Sequence, residues 1–447
     1  MLTGCPGNRH RPAFLGPNQR SRHTGRGDIS RQSRPIAARP ILKKSIRDLA
    51  VFGGLPLFNT PRPTGQFNTP DADAYVDQLR QIYERRWLTN GGYCVVKLEA
   101  TLAEYHKCRH CIAVANAATG LMMLLQAVAG GEAGEIIMPA LAYRGLPHFA
   151  RWAGHAPRFV DVDADTHTMD PEEVRKALSD RTRCILAVPS FTSLGHIDKL
   201  CEIAAEAAMP IVFDSVDALA CTHKGRPTGS FGVAEVFSLH ASKLINAFEG
   251  GYITTNDDAL AADLRRQRDF NHPGLAPEAQ VAPVHLVGLN AKLNELHAAL
   301  AILSFEGIEQ RVAENRRRYE TWLTIVTNIP GLSVLAHHGS TTEKRNYRAV
   351  VIRLNAEWQL SRTQTLMILA AEGAAARPYF HPPLHCLAPW KAELPFHPLP
   401  VTEAIAGSHC QMPVGEMTSQ EDILRIGEVL RTLAADGAAI AKRLGAA

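Results

Sequence analysis

The sequence predicts an α/β fold: a three-layer, mostly parallel sheet forming a large domain, followed by a smaller C-terminal α+β domain. Three observations carry this. From about residue 75 helical periods alternate with short apolar strands. Those strands read as nearly continuous apolar runs, the pattern of a parallel sheet covered on both faces. After residue 285 the texture changes to long helical stretches and a Pro- and His-rich irregular segment. With 447 residues, 46% of them hydrophobic, the chain has apolar surface enough for two domains, and a small disulfide scaffold is excluded.

The first 44 residues hold ten Lys/Arg and one acid, so the formal charge of +4 leaves the remaining chain net negative by about five. This segment, rich in Arg, Gly and Pro and without an apolar period, is expected to be an unstructured extension. An acidic body argues against nucleic-acid binding. No apolar run approaches the ~18 residues of a membrane span, so no membrane association is expected. Nine cysteines scattered between Cys5 and Cys410, with no secretion signal, read as reduced thiols of a cytoplasmic protein. His106, Cys108, His110 and Cys111 stand at zinc-like spacing, but no second pair completes four ligands, and no metal is expected.

In chain order, helices are expected at 73–87, 95–107, 119–130, 170–180 and 198–208. Strands are expected at 111–116, 135–140, 157–163, 183–190, 210–215, 234–239 and 250–256. A long helical region follows from 293, then strands near 332–338 and 346–354, a helix at 362–373 and a terminal helix from 421. The large domain is placed at 45–310 and the small one at 311–447.

The stretch between Ile211 and Asp257 carries the most chemistry. Asp214 ends an apolar strand, and Lys243 follows 29 residues later, after a second strand and before Gly250-Gly251. A lysine that forms imines must be partly desolvated, which a strand end at a cleft provides. A carboxylate on a neighbouring strand end can face a cationic ring nitrogen, and the two together are what pyridoxal phosphate requires. Taken singly, Lys243 reads as a surface lysine and Asp214 as a helix cap.

The flanking residues make the pattern specific. RRWLTNGG, VANAATGLMML, MPALAY, RFVDVDADTHTMD, FDSVDA, FSLHASKLINAFEGG, VGLNAKLNELHAAL and ARPYFHPPLH occur in this order. From about Trp87 to the C-terminus, this series resembles the pyridoxal-phosphate nucleotide-sugar aminotransferases of the DegT/DnrJ/StrS type, within the aspartate aminotransferase fold, type I. The resemblance implies that Lys243 forms the Schiff base and shuttles the proton, and that Asp214 keeps the ring nitrogen protonated. It implies that Tyr143 stacks on the ring and that the amides of Ala117, Ala118 and Thr119, with Ser238, hold the phosphate. It further implies that Asn290 reaches the phosphate of a neighbouring subunit in a homodimer with shared active sites. Thr119 also reads as a simple helix N-cap, and His240 as a positioned loop residue.

Several positions depart from the family. Ala118 stands where threonine is usual, Ala142 replaces a hydroxyl residue, and Lys292 replaces an arginine. Asp217 occupies the position of the usual Gln or His near the cofactor hydroxyl. A second carboxylate beside Asp214 raises at least one pKa unless a cation intervenes, so Asp217 is expected to be turned away, protonated or part of an altered specificity. Arg377, Tyr379, His381 and His385 are placed near the substrate mouth, or else pack against the large domain. The function implied is transfer of an amino group from glutamate or glutamine to a keto sugar, most often a nucleotide-linked deoxysugar, by ping-pong chemistry. A sugar dehydratase on the same scaffold and a non-catalytic regulatory relative are the alternatives, and the presence of Lys243 weighs against both.

Overall fold

The seven expected strands assemble into one sheet. The computed structural model describes residues 43–272, 287–338, 343–395 and 397–445. Helices α1 (Ala72–Arg85) and α2 (Tyr93–His106) precede β1 (His110–Val114) and α3 (Ala117–Ala129). Next come β2 (Glu135–Pro139), α4 (Leu146–Trp152), β3 (Ala156–Val160), α5 (Pro171–Ala177), β4 (Thr182–Ala187), α6 (Ile197–Glu206) and β5 (Ile211–Asp214). A ribbon of β6 (Thr222–His223) and β7 (Arg226–Pro227) leads to β8 (Ala234–Ser238), β9 (Gly251–Thr255) and α7 (Asp258–Gln267). The sheet order is β1-β9-β8-β5-β4-β2-β3. Pairs from β3 through β8 are parallel, and only β9 runs against its neighbours β8 and β1.

Period two divides the strands between the two faces. Ile136 and Met138 of β2 join the cluster under α3 and α4, whereas Ile137 joins Val174, Leu200 and Ile203 of α5 and α6. Each such side chain, wholly withdrawn from water, contributes about 1.5–3 kcal/mol. The helix starts follow the sequence: Asn116 caps α3, Asp170 caps α5 ahead of Pro171, and Asp257 caps α7. The start of α2 has only Gly92 as its cap. Its Cys94 and Val95 amides are met instead by the Glu295 carboxylate at 2.8 and 2.9 Å. A Cβ at Gly92 would lie 2.5 Å from that carboxyl carbon, which explains the glycine.

The long helical region is two helices, α8 (Glu295–Glu306) and α9 (Ile308–Val326), broken at Gly307. Beyond them lie β10 (Leu332–Val334), β11 (Val350–Leu354), α10 (Arg362–Ala371), β12 (Arg377–Pro378), α11 (Trp390–Glu393), α12 (Pro400–Ser408), β13 (His409–Met412) and α13 (Gln420–Gly445). The second sheet is antiparallel, in the order β10-β11-β13-β12. The boundary expected near residue 310 falls in the first turn of α9, and all described residues lie within one compact unit, Ile41–Ala447.

Residues 1–42 of the expected extension lie outside the described residues. Its last part is anchored: Lys43 is buried and pairs with buried Glu372 at 2.8 Å. Leu49, Leu57 and Phe58 then pack with Trp322, Ile352 and Leu430, in the core of the C-terminal sheet rather than of the large one. Glu372 also accepts the Ala50 and Leu57 amides at 2.7 and 3.1 Å. Glu372→Ala therefore leaves the buried Lys43 charge, which also donates to the Asp48 and Leu55 carbonyls, without its counter-ion, and two amides without their acceptor. It is expected to destabilise the protein by roughly 3–5 kcal/mol, read as a lowered urea midpoint; a loss below about 1 kcal/mol would contradict this account.

Candidate active site

Asp214 closes β5 and Ser238 closes the adjacent parallel strand β8, so both stand at the carboxyl edge of the sheet, where ligands of such sheets bind. Because β9 runs the other way, it starts at this edge. Gly251 pairs with Val114 at the end of β1 and with Ser238. A Cβ on Gly251 would lie 2.5 Å from the Ala117 amide nitrogen. Glycine there lets the start of α3 approach the first residue of β9, the pairing partner of Ser238. A helix start at this edge of the sheet suits a phosphate. Thr119 is not the helix cap: Asn116 is, and its carbonyl oxygen accepts both the Thr119 amide at 2.8 Å and the Thr119 hydroxyl at 2.7 Å.

Lys243 lies on the loop between β8 and β9. Its amide donates to the His240 carbonyl at 2.8 Å, and the loop neck is closed by Ala247 donating to Leu239 at 2.8 Å. Asn68 Nδ2 ties the Leu244 carbonyl at 3.1 Å. The Lys243 ammonium reaches Asp217 Oδ1 at 2.7 Å. His240 turns its Nδ1 to the Ser242 hydroxyl at 2.8 Å.

Three charged groups converge with Lys243. Asp214 is 4% exposed and its Oδ1 has no hydrogen-bond partner among the described residues. Burial pushes its carboxyl up to about 7, opposed by the Lys243 charge and assisted by Asp217. Burial acts on Asp217 in the same direction, but Arg348 and Lys243 outweigh it and hold that carboxyl below the usual range. Two of the expectations for Asp217 are thus corrected. It is not turned away, and Lys243 and Arg348, both on its Oδ1, favour its ionised form.

The remaining expected residues divide. Tyr143, in the turn after β2, is 58% exposed. Asn290 is exposed and bridges to Asp269. Lys292 pairs with Asp269 and lies over the Phe270 ring at 5.0 Å. Arg377 and His381 are exposed. Tyr379 and His385 are buried, the packed arrangement that was the alternative to a place at the substrate mouth. Tyr379 packs among His167, Phe191 and Phe380. His385 Nε2 meets Glu403 at 3.0 Å, with the Cys386 thiol 3.4 Å away. These three bring their ligand atoms within 4.8 Å of one another, three groups where a structural zinc takes four. The His/Cys group near residue 108 does not converge: His106 binds the Tyr252 hydroxyl at 2.9 Å, and His110 binds Asp258 at 2.7 Å.

Arg348 and Asn346 belong to the site and were not expected there. Asn346 Nδ2 donates to the Asp217 and Leu219 carbonyls at 2.9 and 2.8 Å. Both lie about 130 residues from Asp217, and nothing in the local sequence around NYRAVVIRL signals the pairing.

A model of the DegT/DnrJ/EryC1/StrS aminotransferase family matches residues 71–431. Among solved structures, DesI in the presence of its TDP-sugar product superposes with a TM-score of 0.83 at 35% identity, over 90% of this chain and all of that one. GDP-perosamine synthase of Caulobacter vibrioides is 28% identical over 350 residues, 78% of this chain and 92% of its own length. L-glutamine:2-deoxy-scyllo-inosose aminotransferase of Micromonospora echinospora is 29% identical over 311 residues, 67% of this chain and 73% of its own length.

Proposed function

The chain belongs to the DegT/DnrJ/EryC1/StrS aminotransferase family, whose members depend on pyridoxal phosphate, and from this we propose that it aminates a nucleotide-linked keto-deoxysugar with nitrogen from glutamate or glutamine. The observation that carries the cofactor assignment to these residues is Asp214. A buried carboxyl with an unpartnered oxygen and a pKa pushed up to about 7 lacks a cationic donor, and a protonated ring nitrogen is one. The α3 start, which Gly251 admits next to the pairing partner of Ser238, is the group assigned to the phosphate.

Pyridoxal phosphate, when bound, supplies an aldehyde and a ring that accepts electrons from the substrate carbon. Lys243 is the amine held for that aldehyde, and once freed it is the base that moves a proton at the substrate carbon. Asp214 holds a proton at the ring nitrogen. Tyr143, exposed at the same edge, is the group for the ring face, and the Ala117, Ala118 and Thr119 amides with Ser238 bind the phosphate. Asn290, exposed beside Asp269, is assigned to the neighbouring subunit's phosphate, which makes the working unit a homodimer. Arg377 and His381 are the exposed cationic and polar groups left for the acceptor's diphosphate.

The names of the relatives support a sugar acceptor: a GDP-perosamine synthase and DesI in the presence of its TDP-sugar product. A cyclitol acceptor is the second reading, favoured by the 2-deoxy-scyllo-inosose aminotransferase. With glutamate and no acceptor present, purified protein is expected to release one 2-oxoglutarate per active site and then stop. Adding the acceptor should restart the release. Absence of any oxo-acid release with any amino donor would overturn the aminotransferase reading in favour of a dehydratase.

A further inference from the structure

Asp217 brings a negative charge to a position where the resembled family carries a neutral Gln or His, and two cations meet it there. Lys243 Nζ is 2.7 Å from Asp217 Oδ1, and Arg348 Nη1 donates to that same oxygen. The Arg348 side chain is 5% exposed. Its guanidinium lies over the Phe191 ring, 5.3 Å from the centroid. Its backbone is held on both sides: the carbonyl accepts Gln66 Nε2 at 2.8 Å, and the amide donates to Asn346 Oδ1 at 3.1 Å. Asn346 in turn fastens the Asp217 turn through two carbonyls. The irregular segment leading into β11 therefore fixes both the backbone and the charge of Asp217.

We propose that Arg348 is a positioning residue that acts on Lys243 through Asp217: by sharing the oxygen that the ammonium uses, it keeps the carboxylate from holding the lysine in its charged, unreactive form. This rests on the reading of Lys243 as the amine that takes up pyridoxal phosphate. An amine attacks an aldehyde only when unprotonated, and a carboxylate left with lysine as its sole partner favours the protonated form. With Arg348 on the same oxygen, the attraction is divided between two cations. The ionisable groups facing Lys243 are Asp214 at the end of β5, Asp217 beyond it and Arg348 before β11, with Tyr379 acting on Asp217. His240, in the same loop, turns instead to Ser242 and towards Glu249.

The test strips the full-length protein of cofactor and follows capture of added pyridoxal phosphate by absorbance against pH, together with the melting temperature. Arg348→Met is expected to move the midpoint of the capture rate upward by about one pH unit, which is about tenfold slower capture below the midpoint. The double variant Asp217→Asn/Arg348→Met is expected to return the midpoint towards or below wild type, because neither charge remains. A role in folding alone would lower the melting temperature and leave the midpoint unmoved, and that result overturns the proposal. If Arg348→Met does not fold, Arg348→Gln, also neutral but able to hydrogen-bond Asp217, carries the test with the same expected direction. A wild-type midpoint in whichever of the two folds is decisive against it. Failure of the wild-type protein itself to capture pyridoxal phosphate would remove the cofactor reading and this proposal together, an outcome distinct from a wild-type midpoint in the variants.

Discussion

Lys243→Ala is expected to give a folded protein that neither takes up pyridoxal phosphate covalently nor transaminates, with turnover down by roughly 10^3-fold or more, since acid–base transfer alone accounts for about 10^2–10^4. The fold should survive because Asp217 keeps Arg348 as its partner when the lysine is gone. Lys243→Arg separates charge from nucleophilicity. A guanidinium preserves the ion pair with Asp217 but stays protonated at any working pH and cannot attack a carbonyl, so it should be as inactive as alanine. Borohydride reduction followed by mass analysis of peptides checks both. A cofactor adduct is expected on the peptide holding Lys243 in wild type and on no peptide in either variant. An adduct of equal yield on another lysine in Lys243→Ala would move the chemistry elsewhere in the chain.

Why the lysine, but not its surroundings, was legible beforehand follows from the range over which sequence patterns act. Asp214 and Ser238 end strands whose apolar runs are local signals, Lys243 follows in the loop before Gly251 opens β9, and the parallel pairing of β5 with β8 puts their carboxyl ends on one edge. Arg348, by contrast, meets Asp217 across 131 residues, and the pair is formed only when the segment before β11 packs against the turn after β5. Lys43 shows the same limit. In sequence it ends a basic, Pro- and Gly-rich run, yet in the fold it is buried against Glu372 by the packing of Leu49, Leu57 and Phe58. The burial of Tyr379 and His385 is non-local in the same way. A Pro-rich segment reads as an exposed loop, but backbone pairing of Arg377 and Pro378 with β13 pulls Tyr379 inward, and Glu403 of α12 takes up His385. Departures from the family pattern were visible as residues, and only their partners show what they do: Asp217 has two cations, and Thr119 is engaged by Asn116.

Asp214→Asn removes the other half of the site and has a signature that Lys243 variants lack. An amide of the same shape cannot keep a ring nitrogen charged, so transamination is expected to fall by about 10^2-fold or more, while the phosphate groups at the α3 start and Ser238 still retain the cofactor. The same substitution also changes how stability depends on pH in cofactor-free protein. In the folded chain the Asp214 carboxyl is pushed up to about 7 by burial, well above the value of about 4 that it has when unfolded. The folded state thus binds this proton more tightly, so the contribution is fully present below about pH 4 and is lost as pH rises through 7. The loss is on the order of 4 kcal/mol at most. Glu235, whose buried carboxyl is likewise pushed to about 7, and the buried histidines titrate equally in both proteins, so the comparison of wild type with Asp214→Asn isolates Asp214. Wild type should therefore lose stability relative to the variant between pH 5 and 8 by urea denaturation, and saturating pyridoxal phosphate should abolish the difference by giving the carboxylate its cation. An unchanged gap at the two pH values in cofactor-free protein would mean that Asp214 is not held uncompensated in the interior, and the ring nitrogen would need another partner.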